Sequence, residues 1–390
     1  MFKVRTYNQI SAKGLDQFAR QRYQVGSEIS HPDAFLVRSQ KLHELEVPPT
    51  LLAVARAGAG VNNVPVSDYS KRGIVVFNTP GANANAVKEL VMAGMLLSTR
   101  GILPGLAYVQ SLTGMTDAAA MAQLLEKEKS RFAGTEIKGK TLGIVGLGAI
   151  GSMVADMALA MGMKVVGFDP ALSIGAAWRL SNAVTRMENL PSLLACSDYI
   201  SLHVPAMDAT RHMINAAALD SIKTGAVLLN FARETIVDPA AVLGSLDQGR
   251  LGRYVCDFPE PEMLGRADVI ASPHIGASTE ESEENCAVMA ANQIIDYLEN
   301  GNITNSVNFP AVNMPRALNA FRITFSNANV SGVLGQVLSV LAEHKVNVID
   351  MMNQSRGDLA FNIIDVETAP TDELISAMAA TKHVIRVRLL

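Results

Sequence analysis

The sequence predicts an α/β protein: two doubly wound parallel-sheet domains followed by a smaller ferredoxin-like βαββαβ unit. Three observations carry this prediction. Short apolar strand candidates alternate with helical patterns from the first residues to about residue 299. The stretch "GIVGLGAIG" sets Gly146, Gly148 and Gly151 in G-x-G-x-x-G spacing where a strand gives way to a helix. After a break rich in Asn, Gly and Pro, residues 317–390 parse as strand, helix, strand, strand, helix, strand.

In chain order, "MFKVRTYNQI" alternates like a first strand, and "FLVRS", "LLAVARAG" and "GIVVFNTPG" each end in turn or polar residues. The helical stretch "NAVKELVMAGMLLSTR" leads into a Lys- and Glu-rich segment over residues 123–140. Six strand candidates then follow in order: "KTLGIVGLG", "KVVGFDP", "YISLHVP", "AVLLNFAR", "RYVCDF" and "VIASPHIG". A helical pattern from about Glu280 to Glu299 closes this section, and "NGNITNSVNFPAVNMPRA" reads as a linker.

Composition excludes several classes of protein. With 49% hydrophobic and 18% charged residues, the chain supports large cores and not global disorder. A net charge of −4 gives no reason to expect nucleic acid as a partner. The best apolar run, residues 142–163, carries Asp156 and several glycines, so no membrane partner is expected. The N-terminus lacks a signal-peptide core. Cys196, Cys256 and Cys286 are widely spaced and odd in number, which predicts a cytoplasmic protein with buried thiols and no metal site.

The glycine triplet makes a specific physical demand. One glycine forms the tight turn, the next lets backbone approach a pyrophosphate, and the third permits close helix–strand packing. The helix N-terminus adds N–H donors and the positive end of its dipole. The next strand ends at Asp169, 18 residues after Gly151, where a carboxylate accepts from ribose hydroxyls and repels a 2′-phosphate. The segment "PALSIG" after it holds no Arg, so NAD is predicted over NADP and the domain reads as Rossmann-like.

Three chemical groups stand near strand ends in the same section: Arg233, Glu262 or Glu260, and His274. Each has an ordinary alternative. Arg233 can pair with Asp238 on the surface, the glutamates lie in a Pro-rich loop, and His274 can be a satisfied core histidine. Together they fit hydride transfer from an alcohol carbon, which needs an imidazole for the hydroxyl proton and a carboxylate to orient it. An arginine fork binds a neighbouring carboxylate and carbonyl. That combination describes a 2-hydroxy acid site.

The motifs "RAGAGVNNV", "VFNTPGANANAVKEL", "GKTLGIVGLGAIG", "HVP", "NFARETIVD" and "SPHIGAST" make the chain resemble the D-isomer-specific 2-hydroxyacid dehydrogenases that carry a C-terminal ACT domain. The resemblance covers nearly the whole chain. It implies a substrate domain over residues 1–95 and 285–310, split around an NAD-binding domain over 96–284, with the ACT domain over 317–390. It implies that Arg233 binds and polarises the 2-oxo acid, that His274 is the acid/base, and that Glu262, or Glu260 in another register, supports the histidine. Glu234 stands where the family has a glycine, and the loop from Glu262 to His274 is shorter than usual.

The same likeness carries cofactor contacts onto Gly146, Gly148, Ala149, Ile150, Gly151, Asp169, Val204, Pro205, Ala232, Asp257 and Gly276. Substrate contacts fall on Arg38, Arg56, Ala57, Gly58 and Asn83, with the two arginines on a phosphate and the backbone of Ala57 and Gly58 on a carboxylate. The implied reaction is NAD-dependent oxidation of 3-phospho-D-glycerate to 3-phosphohydroxypyruvate, at the entry to serine synthesis. The tail implies an amino-acid effector, L-serine, on Asn327, Asn329 and Asn347, although Asn327 replaces a usual histidine and Ser331 a proline. A homodimer or homotetramer is expected. Two other readings stay open: a dehydrogenase of an unphosphorylated D-2-hydroxy acid, and a dinucleotide-sensing binding protein without turnover.

Overall fold

A computed structural model describes residues 1–390. The chain forms two compact units, residues 1–83 with 279–390 and residues 84–278. The boundaries expected at 95/96 and 284/285 fall inside two helices, Ala84–Thr99 and Glu280–Asn300, which therefore belong whole to one unit each.

The first unit begins with a five-stranded parallel sheet: β1 (Phe2–Tyr7), β2 (Tyr23–Gly26), β3 (Ala34–Val37), β4 (Ala53–Arg56) and β5 (Val75–Phe77). Its order is β2-β1-β3-β4-β5, with the reversal between β1 and β3. β3 and β5 are buried along their whole length, which is why they read as unbroken apolar runs. Helix Glu280–Asn300 covers one face, where Cys286, Ala290, Ile294, Tyr297 and Leu298 meet Val4, Leu36, Ala55 and Phe77. Its ends are well marked: the Thr279 side chain accepts from Ser282 N–H, three glutamates stand in the first turn, and Gly301 ends it at φ 74°.

The tail forms the expected βαββαβ unit: β13 (Phe321–Ala328), helix Val333–Glu343, β14 (Val348–Arg356), β15 (Leu359–Val366), helix Asp372–Ala380 and β16 (Val384–Leu389). Its antiparallel order is β14-β15-β13-β16. Alternation assigns the two faces. Ile323, Phe325, Ile364 and Val366 pack under the two helices with Val337, Leu341, Leu374 and Met378. Phe361 and Ile363 point the other way, into the cluster of Tyr297, Leu298 and Phe309 in the first sheet's core.

This second face is tied down by polar contacts. Arg322, fully buried, donates to both carboxylate oxygens of Asp365 and to the carbonyls of Asn300, Met314 and Pro315, so all five guanidinium donors are used. Arg386 donates to the Leu51 carbonyl, and Arg388 lies 4.6 Å over the Tyr297 ring. The segment read as a linker is a packed strap. Ile303 and Val312 exchange two backbone hydrogen bonds, Phe309 is fully buried, and Asn308 pairs with Val76 N–H and the Ile74 carbonyl.

The second unit holds a seven-stranded parallel sheet: β6 (Thr141–Val145), β7 (Lys164–Phe168), β8 (Val184–Arg186), β9 (Tyr199–Leu202), β10 (Ala226–Asn230), β11 (Leu251–Cys256) and β12 (Val269–Ala271). The order β12-β11-β10-β9-β6-β7-β8 switches direction between β6 and β9. β8 is a seventh strand beyond the six expected, a three-residue edge piece. Helix Ala84–Thr99 packs closely at Gly94, where an added Cβ would lie 3.0 Å from Val255 and 3.1 Å from the Phe231 ring. No single helix in the chain is long and apolar enough to cross a membrane. Cys256 and Cys286 are buried as expected, but Cys196 is exposed, because it falls on the outer face at the end of helix Leu190–Cys196.

Candidate active site

Three glycines in the second unit divide the work as their spacing requires. Gly146 has φ 93°, and an added Cβ there would stand 2.6 Å from the His203 carbonyl oxygen, so the turn after β6 abuts the segment after β9. At Gly148, which caps helix Ala149–Ala160, nothing lies within 4 Å of an added Cβ. That open side, next to unsatisfied helix N–H groups, is what an approaching pyrophosphate needs. At Gly151 an added Cβ would be 2.0 Å from the Gly146 carbonyl oxygen, so this third glycine lets the helix sit on its own turn. Ala149 is exposed, Ile150 half-buried, Val204 half-buried beside Gly146, and Pro205 exposed after it.

Asp169 follows β7, and its carboxylate is held by Leu147 N–H at 2.8 Å and Ala171 N–H at 2.9 Å. This orients the acid beside the glycine turn with lone pairs left for hydroxyl donors. Glycine turn, free helix end and oriented carboxylate together fit NAD. His203, behind the same turn, bonds through Nε2 with Ser201 Oγ at 2.8 Å, and burial pushes its pKa down to about 3.

Arg233 is delivered by β10, whose five residues are all buried. Asp238 does not pair with it. That carboxylate caps helix Pro239–Asp247, accepting from Ala240 and Ala241 N–H. No carboxylate lies within salt-bridge distance of Arg233. Half-buried, it donates from Nη1 to its neighbour Ala232's carbonyl at 2.6 Å, and the rest of the fork is left for an outside partner.

His274 is exposed, with φ 56°, which excludes the reading as a buried core histidine. Its loop is pinned by Asp257. That carboxylate, 1% exposed, accepts from Ser272 Oγ at 2.7 Å, Ile275 N–H at 2.8 Å and Gly276 N–H at 2.7 Å. The Asp257 carbonyl accepts from His274 N–H at 3.0 Å. The Asp257 carboxylate and the Gly276 N–H, both of which the resemblance places at the cofactor, are bonded to each other within this loop. Neither Glu262 nor Glu260 reaches the histidine. The imidazole's neighbour is the Phe258 ring, 4.7 Å away, and beyond it the chain turns off, leaving Glu262 exposed in the turn Pro261–Met263 and Glu260 half-buried.

In the first unit, Arg38 and Arg56 stand just past β3 and at the end of β4. Arg38 forms an ion pair with Glu283, and Arg56 Nε donates to the Arg38 carbonyl at 3.0 Å. The Arg56 side chain lies across Gly58, whose added Cβ would be 2.4 Å from Nη1. The N–H groups of Ala57 and Gly58, assigned to a carboxylate, are donated to the Val37 and Arg56 carbonyls: the first continues the β3–β4 ladder past Arg56, and the second closes a tight turn onto Gly58's own strand. Asn83, half-buried in the turn before helix Ala84–Thr99, makes no side-chain hydrogen bond.

The three asparagines of the tail are all engaged within it. Asn327, 5% exposed, donates to the Ala328 carbonyl and accepts from Asn362 at 2.8 Å. Asn329 donates to the Gly357 carbonyl at 2.9 Å, and Asn347 to Glu367 at 3.2 Å. Sequence reasoning missed Asn230, Ser272 and Asn362, each a buried or half-buried polar residue whose only outward sign is a polar letter in or beside an apolar strand.

Residues 105–276 match the family model of the D-isomer specific 2-hydroxyacid dehydrogenase NAD binding domain. The chain belongs to this family of NAD-dependent oxidoreductases. It is 33% identical over 357 residues to a D-3-phosphoglycerate dehydrogenase of Haemophilus influenzae, covering 89% of this chain and 83% of that one. An Escherichia coli D-3-phosphoglycerate dehydrogenase is likewise 33% identical, over 87% of this chain and 82% of its own. Among solved structures, an NAD+-bound 3-phosphoglycerate dehydrogenase of Entamoeba histolytica superposes with TM-score 0.60 at 25% identity, over 79% of this chain and 98% of that one. A D-2-hydroxyisocaproate dehydrogenase, at TM-score 0.64, 23% identity, and 79% and 100% coverage, shares the fold.

Proposed function

We propose that this dehydrogenase oxidises 3-phospho-D-glycerate to 3-phosphohydroxypyruvate. The observation that carries the reading is Arg233: a guanidinium at the end of a buried strand, with no carboxylate of the chain to meet it. A 2-oxo acid supplies the missing anion in bidentate form. His274, solvent-accessible on a pinned loop, takes the C2 hydroxyl proton. NAD, when bound, accepts the hydride from C2. Arg38 and Arg56 bind the phosphate, and the names of the relatives at 33% identity support that substrate.

One observation favours a second reading. Arg38 is already paired with Glu283, so a phosphate must displace a carboxylate, whereas an unphosphorylated 2-hydroxy acid leaves the pair intact. The deciding experiment is NADH consumption with 3-phosphohydroxypyruvate against hydroxypyruvate, each with and without L-serine. A preference for the phosphorylated acid of about tenfold or more, which Arg38→Ala abolishes, supports the first reading. Equal rates support the second. No turnover with either acid moves the chain to a dinucleotide-sensing role.

The tail acts, in this reading, as an ACT-type sensor for L-serine. Binding there requires Asn327, Asn329 and Asn347 to exchange their present partners for the amino acid. We further propose a cytoplasmic homodimer or homotetramer. Ile102, Leu103, Leu106 and Val109 are all exposed on the single helix Ile102–Ser111, an apolar surface that a second copy would cover.

A further inference from the structure

We infer that Asn230 is the positioning residue that aims Arg233, through a side-chain amide bridging the turn between them. It rests on the reading of Arg233 as the substrate-binding group. Asn230 is the last residue of β10 and fully buried, a polar side chain at the end of an otherwise apolar strand. A buried carboxamide is retained only when its hydrogen-bonding capacity is met. Here it is met almost wholly by the turn that follows.

Its Oδ1 accepts from Ala232 N–H at 3.2 Å, and its Nδ2 donates to the Arg233 carbonyl at 2.9 Å and to Tyr254 Oη at 3.3 Å. The amide therefore holds the peptide groups on both sides of the Ala232–Arg233 link and fixes the direction in which the guanidinium leaves the strand. The Tyr254 contact anchors the amide from β11, in the core of the second unit. The main-chain carbonyl of Asn230 also accepts from Asp257 N–H at 3.1 Å, and Asp257 pins the loop of His274. One residue thus stands at the junction of both functional loops. Asn230 touches no reacting atom, so its effect passes through Arg233.

Asn230→Asp isolates this role. It is isosteric and keeps the acceptor for Ala232 N–H, but it replaces the donor to the Arg233 carbonyl by a second oxygen that repels it. Four proteins are compared: the full-length chain, Asn230→Asp, Arg233→Lys and the double variant. Read out are kcat and KM for the 2-oxo acid, NADH Kd and the thermal melt. The expected result is a fall of about 10- to 100-fold in kcat/KM for Asn230→Asp, with NADH Kd within about twofold, since a misplacement near 1 Å costs on that order. On the Arg233→Lys background the same change should add less than about threefold, because the group it aims is already altered.

Equal losses on both backgrounds would mean a general structural role and overturn the inference, as would an unimpaired Asn230→Asp. An unimpaired Arg233→Lys would instead overturn the reading of Arg233 on which it rests. If Asn230→Asp does not fold, Asn230→Ser carries the same test. Its shorter hydroxyl still accepts from Ala232 N–H without reaching the Arg233 carbonyl.

Discussion

The Gly146 carbonyl oxygen lies 2.0 Å from where a Cβ on Gly151 would stand, whereas nothing approaches within 4 Å of the same position on Gly148. The two glycines therefore serve the motif for different physical reasons, and substitution should separate them. Gly151→Ala must push backbone against backbone and should cost about 1–3 kcal/mol, seen as a lowered melting temperature without ligand. Gly148→Ala should melt like the parent and bind NADH about tenfold more weakly, or ~1.4 kcal/mol, by titration.

His274→Asn should lower turnover by about 10²- to 10⁴-fold, the range for loss of a general acid–base group. Because the loop is held by Asp257 and not by the imidazole, NADH affinity and the melt should stay near the parent values. Ser272→Ala should act more mildly, removing one of three hydrogen bonds to the Asp257 carboxylate. Steady-state kinetics beside NADH titration check both.

His203 should make the protein acid-sensitive before its carboxylates do. Its folded pKa is pushed down to about 3 by burial, against about 6.5 for an unfolded chain. Above pH 6.5 both states are neutral and the stabilisation is complete. As pH falls from about 6.5 towards 3, the unfolded state gains a proton that the folded state refuses, so stability declines. His203→Gln should flatten the melting-temperature profile between about pH 6.5 and 5. Asp365 and Asp198, whose pKa values lie below the ordinary carboxylate range, contribute only at lower pH.

Arg322 and Asp365 form an ion pair with both side chains fully buried. Burial alone would raise the Asp365 pKa, but the Arg322 guanidinium and Ala317 N–H outweigh it and hold it low. Arg322→Met should destabilise the first unit by about 3–5 kcal/mol, because it leaves a buried charge and loses three carbonyl contacts. The double variant Arg322→Met, Asp365→Leu should recover part of that loss. Urea unfolding of each variant measures the difference.

The parts of this fold legible in the sequence are those where one residue type answers one local demand. The glycine turn and Asp169 were readable because their contacts lie within one strand–helix–strand passage. β10 was readable because burial on both faces leaves only apolar letters before Asn230. β2 and β8 were missed because short edge strands have no such pattern. The partner of His274 is not legible from spacing, because the ring that packs against the imidazole is Phe258, next to Asp257 in the chain, and not a residue of the Glu260–Glu262 turn. The strap over residues 302–314 read as a linker because its Asn and Pro letters serve tertiary hydrogen bonds, invisible until Asn308 is seen against β5.

The core of the first sheet draws Val4, Leu36 and Phe77 from one end of the chain and Tyr297, Phe309 and Phe361 from the other. A ribosome making this protein finishes residues 84–278, a contiguous unit, while the opening strands still lack most of their cover. Those strands must wait until residues 279–390 are made, and Arg386 seals them only once it has emerged. A nascent chain stalled before its tail would present that half-covered sheet to the cell, and chaperone occupancy should peak in this interval.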